Sequence, residues 1–66
     1  MIKFKKISQG EDACFYALTE DIDSQEYKRL TDWLNIHCLG AYELSNMHLI
    51  IKRQNELFFE LTFPTI

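Results

Sequence analysis

Two cysteines and two histidines are the side chains best suited to attack a substrate or bind a metal ion: Cys14, Cys38, His37 and His48. A nucleophilic enzyme needs a Ser, Cys or Thr beside a base that a third group holds in place. The pattern around each cysteine predicts a buried thiol without a glycine-rich turn, so we expect no catalytic nucleophile. A zinc site needs convergent ligands, whereas His37 and Cys38, adjacent on a predicted helix, point about 100° apart. The sequence therefore predicts a protein without catalytic residues, metal or cofactor.

A second group with chemical potential is the acidic run Glu20, Asp21, Asp23 and Glu26. Carboxylate oxygens bind calcium and magnesium, but the run lacks the glycine and the alternating ligands of an EF-hand loop. Asp23 and Glu26 instead have the spacing of a capping box at a helix start. All four stay candidates for partner binding, because carboxylates can mimic a nucleic-acid backbone or contact a basic surface.

The elements that would position these groups begin with a hairpin. Apolar residues and lysines alternate over residues 1–7, residues 8–12 are typical of a turn, and residues 13–19 form a second apolar segment. Placing Phe4 opposite Tyr16 puts Ile2 opposite Leu18 on the same face.

An amphipathic helix is predicted to follow, starting at Asp23 and ending near Gly40. Apolar residues recur along it three or four positions apart, namely Tyr27, Leu30, Leu34 and Cys38. Ile36 falls on the opposite side of the helix, where we expect it to be exposed.

The last third of the chain predicts a second hairpin. Its odd positions are apolar by period-2 alternation, namely Met47, Leu49, Ile51, Leu57, Phe59, Leu61 and Phe63. A three-residue loop over residues 53–55 places Ile50 opposite Phe58. Residues 41–44 are either a further short strand or the residues that lead into the strand at 47–52. The predicted fold class is thus α+β: an antiparallel sheet of about four strands with one amphipathic helix on one face, in the order β-β-α-β-β.

Composition limits the class of protein. A chain of 66 residues with 47% hydrophobic residues, two glycines and one proline predicts one folded domain over residues 1–66. A domain this small has marginal stability, which a partner or a second copy would raise. The formal charge of −3 disfavours non-specific binding to nucleic acid. No apolar run is long enough to cross a membrane and no signal peptide is evident, so we expect a cytoplasmic protein without a membrane partner.

One apolar surface is predicted to stay uncovered, because a single helix cannot cover both faces of a sheet. If both hairpins join one sheet, the face away from the helix carries Ile7, Phe15, Ile50 and Phe58 within a charged rim. Either a partner or a second copy binds there, or the 41–46 segment or the C-terminal residues 63–66 fold over it.

These patterns favour a small non-catalytic protein that binds a larger host protein or complex and blocks a surface of it, with a homodimer as a further expectation. In size and net charge the chain is similar to the small inhibitors that phages and mobile elements encode against host defence systems, anti-CRISPR proteins among them. That likeness covers no motif. The alternative is a nucleic-acid-binding module whose sheet displays Phe15 and Phe58 beside Lys3, Lys5 and Lys52.

Overall fold

Four strands and two α-helices make up the fold in the computed structural model, which describes residues 1–66. The strands are β1 (Phe4–Gln9), β2 (Ala13–Leu18), β3 (Tyr42–Ser45) and β4 (His48–Lys52), and the helices are α1 (Ser24–His37) and α2 (Glu56–Thr62). A 3-10 turn over Arg53–Asn55 joins β4 to α2. The predicted α+β class and the order β-β-α-β-β are confirmed, and α2 follows as a second helix. Neither helix has the length and apolar character needed to cross a membrane.

The sheet is antiparallel throughout, with the strand order β1-β2-β4-β3. The first hairpin forms where it was predicted, but its register is different: Phe4 lies opposite Leu18, whereas Tyr16 lies opposite Lys6. The register then shifts between Lys6 and Ser8, because Ile7 is an extra residue in β1. Such a bulge twists the strand and is common at sheet edges, where β1 lies.

The start of α1 confirms the predicted capping box. The Asp23 carboxylate accepts a hydrogen bond of 2.8 Å from the backbone N–H of Glu26, whose own carboxylate accepts one of 3.2 Å from the N–H of Asp23. Leu30, Leu34 and Cys38 are buried as expected, but Tyr27 remains half exposed. After Cys38 the chain leaves the helix through two residues with positive φ, and the second of them, at 80°, is the predicted glycine, Gly40.

The closing hairpin predicted for residues 47–63 is wrong. The partner of β4 is β3, so the 41–44 segment belongs to a further short strand, and Asn46 adopts a φ of 47° in the turn between them. Ile50 therefore pairs with Phe15 on one side and Glu43 on the other, not with Phe58.

The environments of the side chains in residues 56–62 follow the spacing of a helix: residues four apart share the same environment. Phe59 and Phe63, four residues apart, are buried against the sheet, whereas Leu57 and Leu61, also four apart, face solvent. The Phe59 ring lies 5.1 Å from the ring of Phe4 between centroids, in an edge-to-face arrangement that aromatic pairs favour. The side of α2 that carries Phe59 and Phe63 thus completes the core.

The core has eleven buried residues, all apolar or cysteine, and it lies between the two helices and one face of the sheet. The opposite face of the sheet is uncovered. The 41–46 segment is part of the sheet itself, and the C-terminal residues run beside β1: the Phe4 N–H donates to the Pro64 carbonyl at 2.9 Å, and the Ile66 N–H donates to the Phe4 carbonyl at 2.8 Å. Neither segment folds over the uncovered face.

Candidate interaction surfaces

The uncovered sheet face brings together three of the four apolar residues that the sequence assigned to it. Phe15 and Ile50 are direct cross-strand neighbours on β2 and β4, and Ile7 lies in the bulge beside Ser8, the residue of β1 that pairs with Phe15. Ile7 is 53% exposed and Phe15 39%, while Ile50 is half-buried. We call Ile7, Phe15 and Ile50 the open sheet face.

Basic side chains surround the open sheet face. Lys5 in β1 and Lys52 in β4 alternate with core residues, and Lys3 lies just before β1 between the buried Ile2 and Phe4, so all three point to the uncovered side. All three are exposed and none forms an ion pair. Glu43, opposite Ile50, is the carboxylate on this side of β3. The rim of the face therefore carries three unpaired lysines, while Glu11 and Asp12 lie beside Lys52.

Phe58 lies on the other side of the molecule, which corrects its predicted position. Its ring is edge-on to His37 at 5.0 Å and lies 5.8 Å from the Trp33 ring. The period-2 pattern predicts a strand after the 53–55 loop, in which Phe58 would lie on the sheet and face away from Phe59. On a helix the two residues are instead about 100° apart, so Phe58 reaches α1 while Phe59 enters the core.

A second apolar surface lies on the helices, and the sequence pattern did not reveal it as such. Leu57, Phe58 and Leu61 of α2 are 73%, 53% and 75% exposed. Ile36 of α1 is 67% exposed and sits one turn from Trp33, whose ring contacts Phe58. We call Ile36, Leu57, Phe58 and Leu61 the helical ridge. The pairs Leu57/Leu61 and Phe59/Phe63, each four residues apart, were the signal that could have indicated it.

A charged cluster attaches α2 to the sheet. The Lys6 ammonium contacts the carboxylates of Glu56 and, at 2.6 Å, Glu60; the Tyr16 hydroxyl donates to Glu60 at 2.7 Å, and Arg53 Nε donates to Glu56 at 3.3 Å. Hydrogen bonds to Lys6 lower the pKa of both carboxyl groups, and the same bonds raise the pKa of Lys6. Each group is thus held in its charged form at neutral pH, which suits structural attachment rather than proton transfer.

The two cysteines and two histidines do not converge. Cys14 and Cys38 are both buried, and desolvation raises the pKa of each thiol, which keeps it protonated and unreactive. His37 stacks on Trp33 with ring centroids 4.6 Å apart, whereas His48 is exposed on β4. No group of three His, Cys, Asp or Glu side chains is arranged to hold a metal ion.

The acidic run divides into two pairs. Asp23 and Glu26 form the capping box, and Glu26 also binds the N-terminal ammonium at 2.7 Å, which lowers the pKa of its carboxyl group. Glu20 and Asp21 are exposed and form no ion pair, so they remain open to a partner.

Comparison of the chain with protein-family models, with curated proteins and with solved structures found no match in any of the three.

Proposed function

We propose that this chain is a small non-catalytic protein-binding protein that occupies a surface of a larger protein, as phage and mobile-element inhibitors of host defence complexes, anti-CRISPR proteins included, do. The observation that supports the proposal is the open sheet face: apolar side chains on the uncovered side of a sheet, surrounded by unpaired lysines.

The composition of this face matches an interface that forms between proteins stable on their own. Such interfaces have an apolar centre and a charged, solvated rim. Ile7, Phe15 and Ile50 supply the centre, and Lys5 and Lys52 belong to the rim. Because the centre lies on strands held by backbone hydrogen bonds, binding costs little backbone conformational entropy. The lysines favour a target with carboxylates around an apolar contact patch.

Capture of the target by a tagged copy of the chain tests this proposal. Phe15→Asp places a carboxylate at the centre of the face and should abolish capture, because a buried unpaired charge at an interface is costly. Leu39→Asp makes the same kind of change at a residue that is 83% exposed at the end of α1, and it should leave capture unchanged. Circular dichroism checks that both variants are folded.

Two results would contradict the proposal: repeated captures that retain no specific protein, or a folded Phe15→Asp variant that captures as well as the wild type.

A charge reversal at Glu20 and Asp21 distinguishes binding through the open sheet face from binding through acidic residues that mimic a nucleic-acid backbone. If the lysine-rimmed face is the contact, capture persists in the double variant Glu20→Lys, Asp21→Lys; if the acidic pair mimics a nucleic-acid backbone, capture is lost.

The second candidate function is nucleic-acid binding by the same face, because Lys5 and Lys52 lie on either side of the exposed ring of Phe15, opposite Ala17 and Ala13, and Lys3 lies further along. Fewer aromatic rings support it than predicted, since Phe58 lies among the helices and Phe15 is the one aromatic ring left on the uncovered face of the sheet. Salt-dependent retention of a labelled single-stranded oligonucleotide, lost in the double variant Lys3→Ala, Lys5→Ala, would establish it. The absence of retention at low salt would exclude it.

A further inference from the structure

The helical ridge is an apolar surface that folding does not explain. Exposed positions of a helix are normally polar, yet α2 places Leu57 and Leu61 at 73% and 75% exposure. Replacing either leucine by glutamine would retain helix propensity and leave the core intact. Contacts inside this chain therefore give no reason for leucine at these positions.

We infer that the helical ridge is the contact between two copies of this chain, related by a two-fold axis. This goes beyond the proposed function, which uses the opposite side of the molecule. The composition of the ridge separates it from the open sheet face, because homodimer interfaces are more apolar than interfaces between independently stable proteins. The ridge consists of Ile36, Leu57, Phe58 and Leu61, whereas lysines surround the open sheet face.

The exposed area also favours self-association. With roughly 170 Å² for a fully exposed side chain of this size, exposures of 67%, 73%, 53% and 75% along the ridge give about 450 Å² per copy. Two copies would bury up to about 900 Å² from these side chains alone, close to the roughly 1,000 Å² expected of a biological interface. Ile7 and Phe15, at 53% and 39%, expose only about 160 Å² between them by the same measure.

Charge does not oppose the contact. The two charged residues of α2, Glu56 and Glu60, are both bound to Lys6, and Arg53 also binds Glu56. Two copies of α2 can therefore approach without bringing unpaired carboxylates together. The helices lie on one side of the sheet and the open sheet face on the other, so a dimer through the ridge exposes two open sheet faces and becomes a bivalent binder.

The test is the mass of the full chain in solution, measured by light scattering after size exclusion over a range of concentrations. The wild type should approach twice its mass of 7.9 kDa as concentration rises. The double variant Leu57→Gln, Leu61→Gln should stay at 7.9 kDa. Ile7→Gln is the matched control: it also removes an exposed apolar side chain, but from the open sheet face, and it should dimerise like the wild type.

The wild-type melting temperature provides a second measurement in case the double variant unfolds as a monomer. It should rise with protein concentration, because association stabilises the folded state by mass action. A wild type that remains at 7.9 kDa, with a melting temperature independent of concentration, would overturn the inference. So would loss of the dimer in Ile7→Gln with retention in the double variant. The Phe15→Asp variant should no longer capture the target but should still dimerise. Capture therefore tests the proposed function, and the mass in solution tests the dimer independently.

Discussion

The two helices pack on the same face of the sheet but are stabilised by different interactions. α1 begins with the Asp23–Glu26 capping box and carries the Lys28–Asp32 pair on its exposed side, both formed within four residues of sequence. α2 has seven residues and no side-chain cap at its N-terminus, and two of its three ion pairs reach back to Lys6 in β1. Local sequence thus specifies α1, whereas tertiary contacts hold α2, since an isolated helix of that length is unstable in water.

The largest expected effect that follows from this difference is at Phe59. It is fully buried and contacts Phe4 and Tyr16, with ring centroids 5.1 and 4.8 Å away. Phe59→Ala should lower the free energy of unfolding by about 3–5 kcal/mol, much of the stability of a domain this size. Urea denaturation followed by circular dichroism measures the change. Leu39→Ala, at an 83% exposed position, is the control and should change it by no more than about 0.5 kcal/mol. Equal effects of the two substitutions would mean that α2 does not complete the core.

A smaller effect separates the two helix starts. Asp23→Ala removes the hydrogen bond of 2.8 Å to the Glu26 N–H, which should cost about 1 kcal/mol of stability. Asn55→Ala is the matched change at the N-terminus of α2, where the Asn55 side chain makes no capping bond. It should cost no more than a few tenths of a kcal/mol. Thermal melts of the two variants against the wild type make the comparison. If Asn55→Ala is the more damaging, α2 depends on its N-terminus more than on tertiary contacts.

The smallest expected effect is the pH dependence of the Lys6 cluster. Bonds to Lys6 hold the pKa of Glu56 and Glu60 below their ordinary value of 4.5. The corresponding stabilisation is present above pH 4.5 and is lost as pH falls through the lowered pKa values. The wild type should therefore exceed Lys6→Met in stability at neutral pH, and the gap should narrow in acid.

Urea denaturation at a series of pH values measures that gap. Lys28→Met, which removes the exposed pair with Asp32 on α1, is the control. It should lower the free energy of unfolding by less than Lys6→Met does, because a single exposed ion pair adds little to stability. A gap for Lys6→Met that is constant down to pH 3 would show that the lysine acts through the packing of its aliphatic chain.

The same contrast explains which parts of the fold the sequence could predict. The capping box and the spacing of Leu30, Leu34 and Cys38 predict α1, because those signals lie within the helix itself. Residues 57–63 fit two periodicities, since Leu57, Phe59, Leu61 and Phe63 form a strand face at period 2 and two opposite helix faces at period 3.6. Seven residues are too few to decide between them. The contacts with Lys6, about fifty residues away, favour the helix.

The candidate site, like the fold, could be predicted from the sequence only in part. Alternation along β1, β2 and β4 was enough to place Ile7, Phe15 and Ile50 on one side of the sheet, even though the hairpin register was two residues out. Phe58 was misplaced together with the strand assigned to it. The helical ridge was not predicted, because on a strand Leu57 and Leu61 share one face with Phe59 and Phe63, and only helical spacing separates the two pairs.

The C-terminal residues beside β1 limit how the sheet can grow. An open sheet polymerises when an exposed strand at each end accepts another chain. Here the Phe4 amide and carbonyl are already bonded to Pro64 and Ile66, and the bulge at Ile7 interrupts the strand further along. β3, four residues long, is the only edge left with an uninterrupted row of free backbone groups. Edge-to-edge addition would thus stop after one step, so the molecule can display apolar side chains on two sides without propagating into a fibre.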